Sequence, residues 1–283
     1  MALDSGPSGS RAGRVEGLRC PPTARLASIS RDFGRLVVLG DSLSFHGPEG
    51  PVPLRDPRVY PNVLGESLGQ STGREWAVDV WARAGWGVRE LWLALQKDVH
   101  LQQQLLMDAD AVVLGMGSAD QLSVGVPRWV MMALPYLRPT SLRREVRRRI
   151  DHVHPTLVRA TRGHFRFTPP DVIAHCWGKS VDAIRLFAGK DVPLVAVLPA
   201  DHRTTYYGGV RTHHEEVHAL YVRLAAERNV PVVDLAALTR HRLDELNIDG
   251  AHWSWPIHAD VGQAMASVLA EALAPAVQRP DDG

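Results

Sequence analysis

The stretch Arg35-Leu36-Val37-Val38-Leu39-Gly40-Asp41-Ser42-Leu43-Ser44 decides how the chain is read. Leu36 to Leu39 is a short continuous apolar run with β-branched residues, the pattern of a parallel strand buried on both faces. It stops at Gly40, whose missing side chain allows a sharp turn at the strand's carboxyl end. Ser42 then falls at the edge of an α/β sheet, where such folds place their ligands. A serine there is a candidate nucleophile only if a base reaches it.

The same pattern recurs along the chain. Residues 76–81, 110–117, 194–199 and 230–235 read as four further strands. Helical patterns at 60–68, 88–95, 171–187, 213–228 and 260–273 separate and follow them. The Gly- and Pro-rich segment 45–57 reads as a loop. Strands alternating with helices imply right-handed βαβ units. The expected fold is therefore α/β, a three-layer α/β/α domain on a five-stranded parallel sheet. A length of 283 residues suits one sizeable core. Residues 31–276 are expected to form that single domain, with disordered tails at 1–30 and 277–283.

Composition narrows the partners. Hydrophobic content of 45%, charged content of 22% and a formal charge of +1 are ordinary and make no global case for nucleic acid. The two cysteines, Cys20 and Cys176, are too few for a disulfide framework. Free thiols in a reducing, cytoplasmic compartment are expected. The first 20 residues lack an apolar signal core, and no apolar run approaches the ~18 residues of a membrane span.

The base for Ser42 is found near the other end, in Asp249-Gly250-Ala251-His252. A serine hydroxyl needs an imidazole to take its proton. The imidazole needs a carboxylate on its other nitrogen to set its tautomer. One turn carrying Asp249 and His252 supplies both, so Ser42, His252 and Asp249 are the candidate catalytic residues. A rival motif, His214-Glu215-Glu216-Val217-His218, matches the H-E-x-x-H signature of zinc proteases. Its extra charge at Glu216 and the lack of a clear third ligand, although Asp234 or His241 can be proposed, favour a polar surface helix. No metal is expected.

Gly-Asp-Ser after a first strand, with Asp-x-x-His near the C-terminus, resembles the SGNH/GDSL hydrolase superfamily over residues 35–272. The resemblance implies that fold and an oxyanion hole with three donors. Two map to the backbone N–H groups of Ser42 and Gly85. The third is an asparagine of a Gly-x-Asn-Asp motif, which here reads Gly117-Ser118-Ala119-Asp120, with Ala119 in its place. Ser118 or a nearby backbone N–H is left to substitute, and Asp120 is expected to be structural.

Residues 40–48, 56–61, 84–86, 134–139 and 249–255 further resemble a branch of that superfamily that octanoylates glucosylglycerates. What this implies is octanoyl transfer, from an acyl-CoA co-substrate and without a cofactor, through Ser42 to a sugar hydroxyl of a glucosylglycerate-type acceptor. Candidate substrate-binding residues come from the same segments: Trp253, Trp255, Tyr136, Arg138 and His46. A plain esterase or thioesterase, and a non-catalytic carbohydrate-binding relative, are the alternatives.

The insertion at 126–170 carries ten arginines against Glu145 and Asp151. Leu142, Val146, Ile150 and Val153 recur at helical spacing, so the arginines should line the outer face of an amphipathic helix. The apolar stretch 129–137 precedes it. Together they suggest a lid or channel wall, apolar on one side and cationic on the other.

Overall fold

The computed structural model describes residues 33–127, 130 and 133–277, the last three as backbone alone. The tail at 1–30, residues 278–283, Cys20, Arg128, Trp129, Met131 and Met132 lie outside the described residues.

Apolar runs become strands wherever both faces can be covered. They are β1 (Phe33–Gly40), β4 (Glu75–Ala82), β5 (Ala111–Gly115), β6 (Leu194–Leu198) and β7 (Val232–Asp234). All neighbours pair in parallel, in the order β4-β1-β5-β6-β7. A separate two-stranded ribbon joins β2 (His46–Gly47) to β3 (Gly50–Pro51) inside the loop read from the sequence.

Strand side chains alternate between faces, which splits the core in two. Val37, Leu39, Val112 and Leu114 pack with α2 (Val88–Lys97), α4 (Pro170–Ala188) and α5 (His214–Glu227). Leu36, Val38 and Val113 pack with α1 (Tyr60–Thr72) and α7 (Trp255–Val277). The architecture is therefore three-layered, α/β/α. Helix α7 begins five residues earlier than its periodicity suggests, directly after the His252 turn. A short α6 (Leu235–Thr239), not read from the sequence, is capped by Asp234, which accepts the Ala237 N–H at 3.0 Å.

The register sets Gly40 level with Ala82 on one side and Gly115 on the other. Gly40 does not use a left-handed conformation. Its requirement is space: a Cβ there would stand 1.9 Å from Ser44 Oγ, which is bonded to the Tyr60 hydroxyl at 2.9 Å. Gly40→Ala is therefore expected to cost about 1–3 kcal/mol by overpacking, measurable by urea unfolding. Ser44→Gly in the same chain should recover part of the loss.

The insertion forms α3 (Thr140–Ala160). Its arginines face solvent as expected, with Glu145 pairing to Arg148 and Arg149. The apolar stripe differs from expectation. Leu142 and Val153 are 46% and 42% exposed, and the residues buried are His154 and Val158. The anchors explain this shift. His154 Nε2 accepts the Gly125 N–H at 3.2 Å, and its Nδ1 donates to the Tyr206 carbonyl at 3.0 Å. Val146 and Ile150 are half-buried as expected, and the stripe continues through His154 and Val158 rather than through Val153. Among the described residues, no helix is long and apolar enough to cross a membrane.

His258, at the start of α7, ties the two ends of this layer. Its Nδ1 accepts the Tyr60 N–H at 3.2 Å, so its Nε2 carries hydrogen and donates to the His46 carbonyl at 3.1 Å. Burial pushes His258 down to about 4. In the unfolded chain the ring takes a proton near pH 6.5, so unfolding between those values binds a proton. This contribution to stability is present above about pH 6.5 and is lost as the pH falls toward 4. Asp41, pushed up to about 7 by burial and only partly offset by the Leu43 N–H, works in the opposite direction. Comparing melting temperature against pH for the wild type and His258→Gln isolates the histidine: the variant should show a shallower fall on acidification.

Candidate active site

Ser42 stands in the first turn after β1. Asp41 orders that turn, its Oδ1 accepting the Leu43 N–H at 2.9 Å. His252 comes from the turn at residues 247–252, between β7 and α7. That turn is held by backbone bonds from Asn247 N–H to the His252 carbonyl (2.9 Å) and from Arg203 N–H to the Gly250 carbonyl (2.8 Å). Gly250 is required twice over: its φ is +73°, and a Cβ would meet the Arg203–Thr204 peptide at 2.9 Å.

The folded chain brings residues 210 apart into one hydrogen-bonded line. His252 Nε2 lies 2.9 Å from Ser42 Oγ, and His252 Nδ1 lies 2.6 Å from Asp249 Oδ2. With Nδ1 facing a carboxylate, that nitrogen carries the hydrogen and Nε2 accepts from the serine. Asp249 is itself held. Its Oδ1 accepts the N–H groups of Ala251 (2.7 Å) and His252 (3.1 Å), and its Oδ2 accepts from the Asn247 amide (3.1 Å). Burial works to raise its pKa, but these donors and the His252 ring hold it down at about 2. The carboxylate therefore stays ionised over any working pH. Asn247 was not singled out by sequence; its position two residues before Asp249 is the only local signal.

His46 stacks on His252, ring centroids 3.7 Å apart and planes 18° from parallel. It lines a pocket of about 240 Å³ that also contains Ser42 and His252. Four loops leaving the same sheet edge complete the walls: Leu43 after β1, Ala84 and Gly85 after β4, Ser118, Ala119, Gln121 and Leu122 after β5, and Ala200, Asp201 and His202 after β6. Gly85 has φ +69° with no neighbour within 4 Å of a Cβ, so backbone conformation alone accounts for the glycine. Neither the Ser42 nor the Gly85 N–H makes a backbone hydrogen bond among the described residues. Both are available to a developing oxyanion. Ala119 presents a methyl group to the pocket. Ser118 Oγ accepts the Ala200 N–H at 3.1 Å, which leaves its own hydrogen to donate.

Asp120 is buried beneath this wall. It accepts from Val88 N–H (3.0 Å), Thr168 Oγ1 (2.7 Å) and Tyr221 Oη (2.7 Å), tying α2, the end of the insertion and α5 to β5.

Other residues expected to bind substrate are placed elsewhere. Trp253 is 0% exposed within the α1/α7 core, because the turn that aims His252 outward sends the next side chain inward. Trp255 packs against Gly47 and carries the Arg58 guanidinium 4.0 Å from its ring centroid, outside the pocket lining. Tyr136 is 85% exposed, and neither it nor the exposed Arg138 lines the pocket. Of these five, only His46 does. The insertion helix contributes no lining residue either, so the apolar wall comes from Leu43, Ala84, Ala119, Leu122, Ala200 and Ala251.

The H-E-x-x-H residues are used structurally. His214 Nδ1 bonds the buried Gln121 side chain, and His218 Nε2 lies 3.2 Å from Asp234. Among the described residues, the three ligand-type side chains that cluster within reach of one ion are His46, Asp249 and His252, which belong to the site above.

Comparison with known proteins adds to this geometry. The model of the GDSL-like lipase/acylhydrolase family matches residues 38–260. A diglucosylglycerate octanoyltransferase of Mycobacterium tuberculosis is 32% identical over 244 residues, covering 85% of this chain and 94% of that protein. One from Mycolicibacterium hassiacum is 33% identical, covering 85% and 96%. The crystal structure of a lipase/acylhydrolase from Enterococcus faecalis superimposes with a TM-score of 0.58 at 17% identity, over 84% of this chain and 96% of that one; this likeness is one of fold.

Asn247→Ala should lower turnover about tenfold by removing one of the two donors to Asp249 Oδ2, with little change in KM. Steady-state kinetics on an activated acyl ester would check this.

Proposed function

The chain belongs to the GDSL-like lipase/acylhydrolase family, and we propose that it acts as an acyltransferase, moving an octanoyl group from acyl-CoA through Ser42 to a sugar hydroxyl of a glucosylglycerate-type acceptor. The observation that carries this reading is the Ser42–His252–Asp249 chain opening onto a mainly aliphatic pocket. Its support is the one-third identity, along most of the chain, to two proteins named as diglucosylglycerate octanoyltransferases.

The geometry supports the following chemistry. Ser42 Oγ attacks the thioester carbonyl while His252 Nε2 takes its proton. The C–S bond breaks, the thiol leaves with that proton, and the serine holds the acyl group as an ester. Asp249 stabilises the imidazolium that forms in between without itself being protonated. The Ser42 and Gly85 N–H groups bind the tetrahedral oxyanion, with Ser118 Oγ as third donor in place of the side chain that Ala119 lacks. An acceptor hydroxyl then gives its proton to His252 and attacks the ester carbonyl; as the bond to Ser42 Oγ breaks, His252 returns that proton to the serine. Burying an acyl chain against the aliphatic wall contributes up to about 0.8 kcal/mol per CH₂. The reaction draws on no cofactor and no metal; acyl-CoA is a co-substrate, in keeping with a cytoplasmic enzyme.

Hydrolysis is the second reading, since the family description is that of an acylhydrolase and water can take the acceptor's place at His252. Incubation with octanoyl-CoA and mass spectrometry should show one octanoyl adduct on the wild type and none on Ser42→Ala. Adding glucosylglycerate should discharge the adduct into an octanoylated sugar faster than water does. An equal adduct on Ser42→Ala would overturn the mechanism, discharge to octanoate alone would favour the esterase, and sugar binding without any adduct would favour a non-catalytic relative.

A further inference from the structure

Three imidazoles of this fold are bonded at both nitrogens. His258 bonds Tyr60 and His46, His154 bonds Gly125 and Tyr206, and His252 bonds Asp249 and Ser42. His202 breaks this pattern. It is only 7% exposed, yet its ring makes no hydrogen bond among the described residues, and its Nδ1 is buried without a partner. A buried polar side chain left unbonded costs about 1–3 kcal/mol, so native structures rarely leave one without a reason. Imidazole nitrogens without a hydrogen bond also occur at His46, His213 and His218, the last meeting Asp234 at 3.2 Å as an ion-pair contact only. Of these, only His46 shares the pocket, and its ring is stacked on the base.

The location of His202 supplies the reason. His202 is among the residues lining the pocket that holds Ser42 and His252. The backbone fixes it there: the next residue, Arg203, donates its N–H to Gly250 in the turn that carries His252. Its neighbour Asp201 is already satisfied, one oxygen taken by Arg211 at 2.5 Å and the other by the His202 N–H at 3.3 Å. The bonding capacity left over on this wall is therefore that of the imidazole ring and of the hydroxyl of Tyr207, whose ring meets His202 edge-on at 6.4 Å.

We propose that His202 is the acceptor-reading residue, exchanging hydrogen bonds with a sugar hydroxyl of the polyol that meets the acylated serine. This rests on the transferase reading above and deepens it. A neutral imidazole offers one donor and one acceptor, as a hydroxyl does. Burial keeps the ring in that form by pushing its pKa down to about 4. A site that leaves a buried polar group unpaired when the wrong ligand enters discriminates more strongly than an apolar pocket can. His202 accordingly favours a polyhydroxylated acceptor over a simple aliphatic alcohol.

The test uses full-length Ser42→Ala protein, which cannot be acylated, titrated with glucosylglycerate in a calorimeter. Adding His202→Phe should weaken acceptor affinity about tenfold or more. The same change removes an unpartnered polar group, so the melting temperature should hold or rise. His202→Gln, which keeps a donor and an acceptor, should retain part of the affinity and serves if the Phe variant does not fold. Unchanged acceptor affinity in His202→Phe overturns the proposal. So does a parallel loss of affinity and melting temperature, which would assign a structural role, and so does a loss that falls on octanoyl-CoA instead. A parent protein that binds no glucosylglycerate also overturns it. Acylation of wild-type Ser42 by octanoyl-CoA, measured separately, reports whether the serine mechanism stands in that case.

Discussion

The parallel register that sets Gly40 level with both Ala82 and Gly115 governs the rest of the site. It ends β1, β4 and β5 on one edge, so the loops bearing Ser42, Gly85 and Ala119 leave side by side. Close packing enforces the arrangement. Gly40 admits Ser44 Oγ, and Gly115 admits the Tyr60 hydroxyl at 2.6 Å from where a Cβ would be. Ser44 and Tyr60 are bonded to each other, so one contact joins the nucleophile turn, the start of α1 and the two central strands. A parallel sheet buried on both faces makes such a junction rigid, because neither layer of helices can yield without opening the core.

Control of imidazoles is the second theme. Each ring has a role set by what its nitrogens meet. His258, bonded by a peptide N–H and a carbonyl, is a neutral brace. His252, bonded by a carboxylate and a hydroxyl, has a fixed tautomer with Nε2 turned to accept. His46 offers its face to His252, stacked 3.7 Å away. His202 makes no ring hydrogen bond among the described residues. The chemistry follows from hydrogen-bond accounting more than from residue type, since all four side chains are the same.

Much of this was legible in the chain itself. The five strands, the parallel sheet and the flanking helices follow from apolar runs and helical periods, and the structure shifts their ends by a few residues. Ser42, Asp249 and His252 were legible because nucleophilic chemistry needs those residue types together and each sits in a recognisable turn. Trp253 misled because a tryptophan beside a polar motif has the same appearance whether it faces a ligand or a core. The helix α3 was found, but its buried stripe was misplaced. Aliphatic spacing pointed to Leu142, Val146, Ile150 and Val153; the middle two are half-buried, the outer two are exposed, and His154 is drawn inward by two hydrogen bonds to distant backbone. Asn247 and His202 carried no motif at all.

By itself, then, the sequence determined the layered α/β fold and the identity of the three residues in the hydrogen-bonded chain. Both are local signals, written in periodicity and short motifs. Only the tertiary structure decided which other side chains share the pocket: His46, Gln121 and His202 in, Tyr136, Arg138, Trp253 and Trp255 out. That choice depends on register, on turn geometry and on which face of each element is covered. These are relations between segments far apart in the chain, and no single segment encodes them.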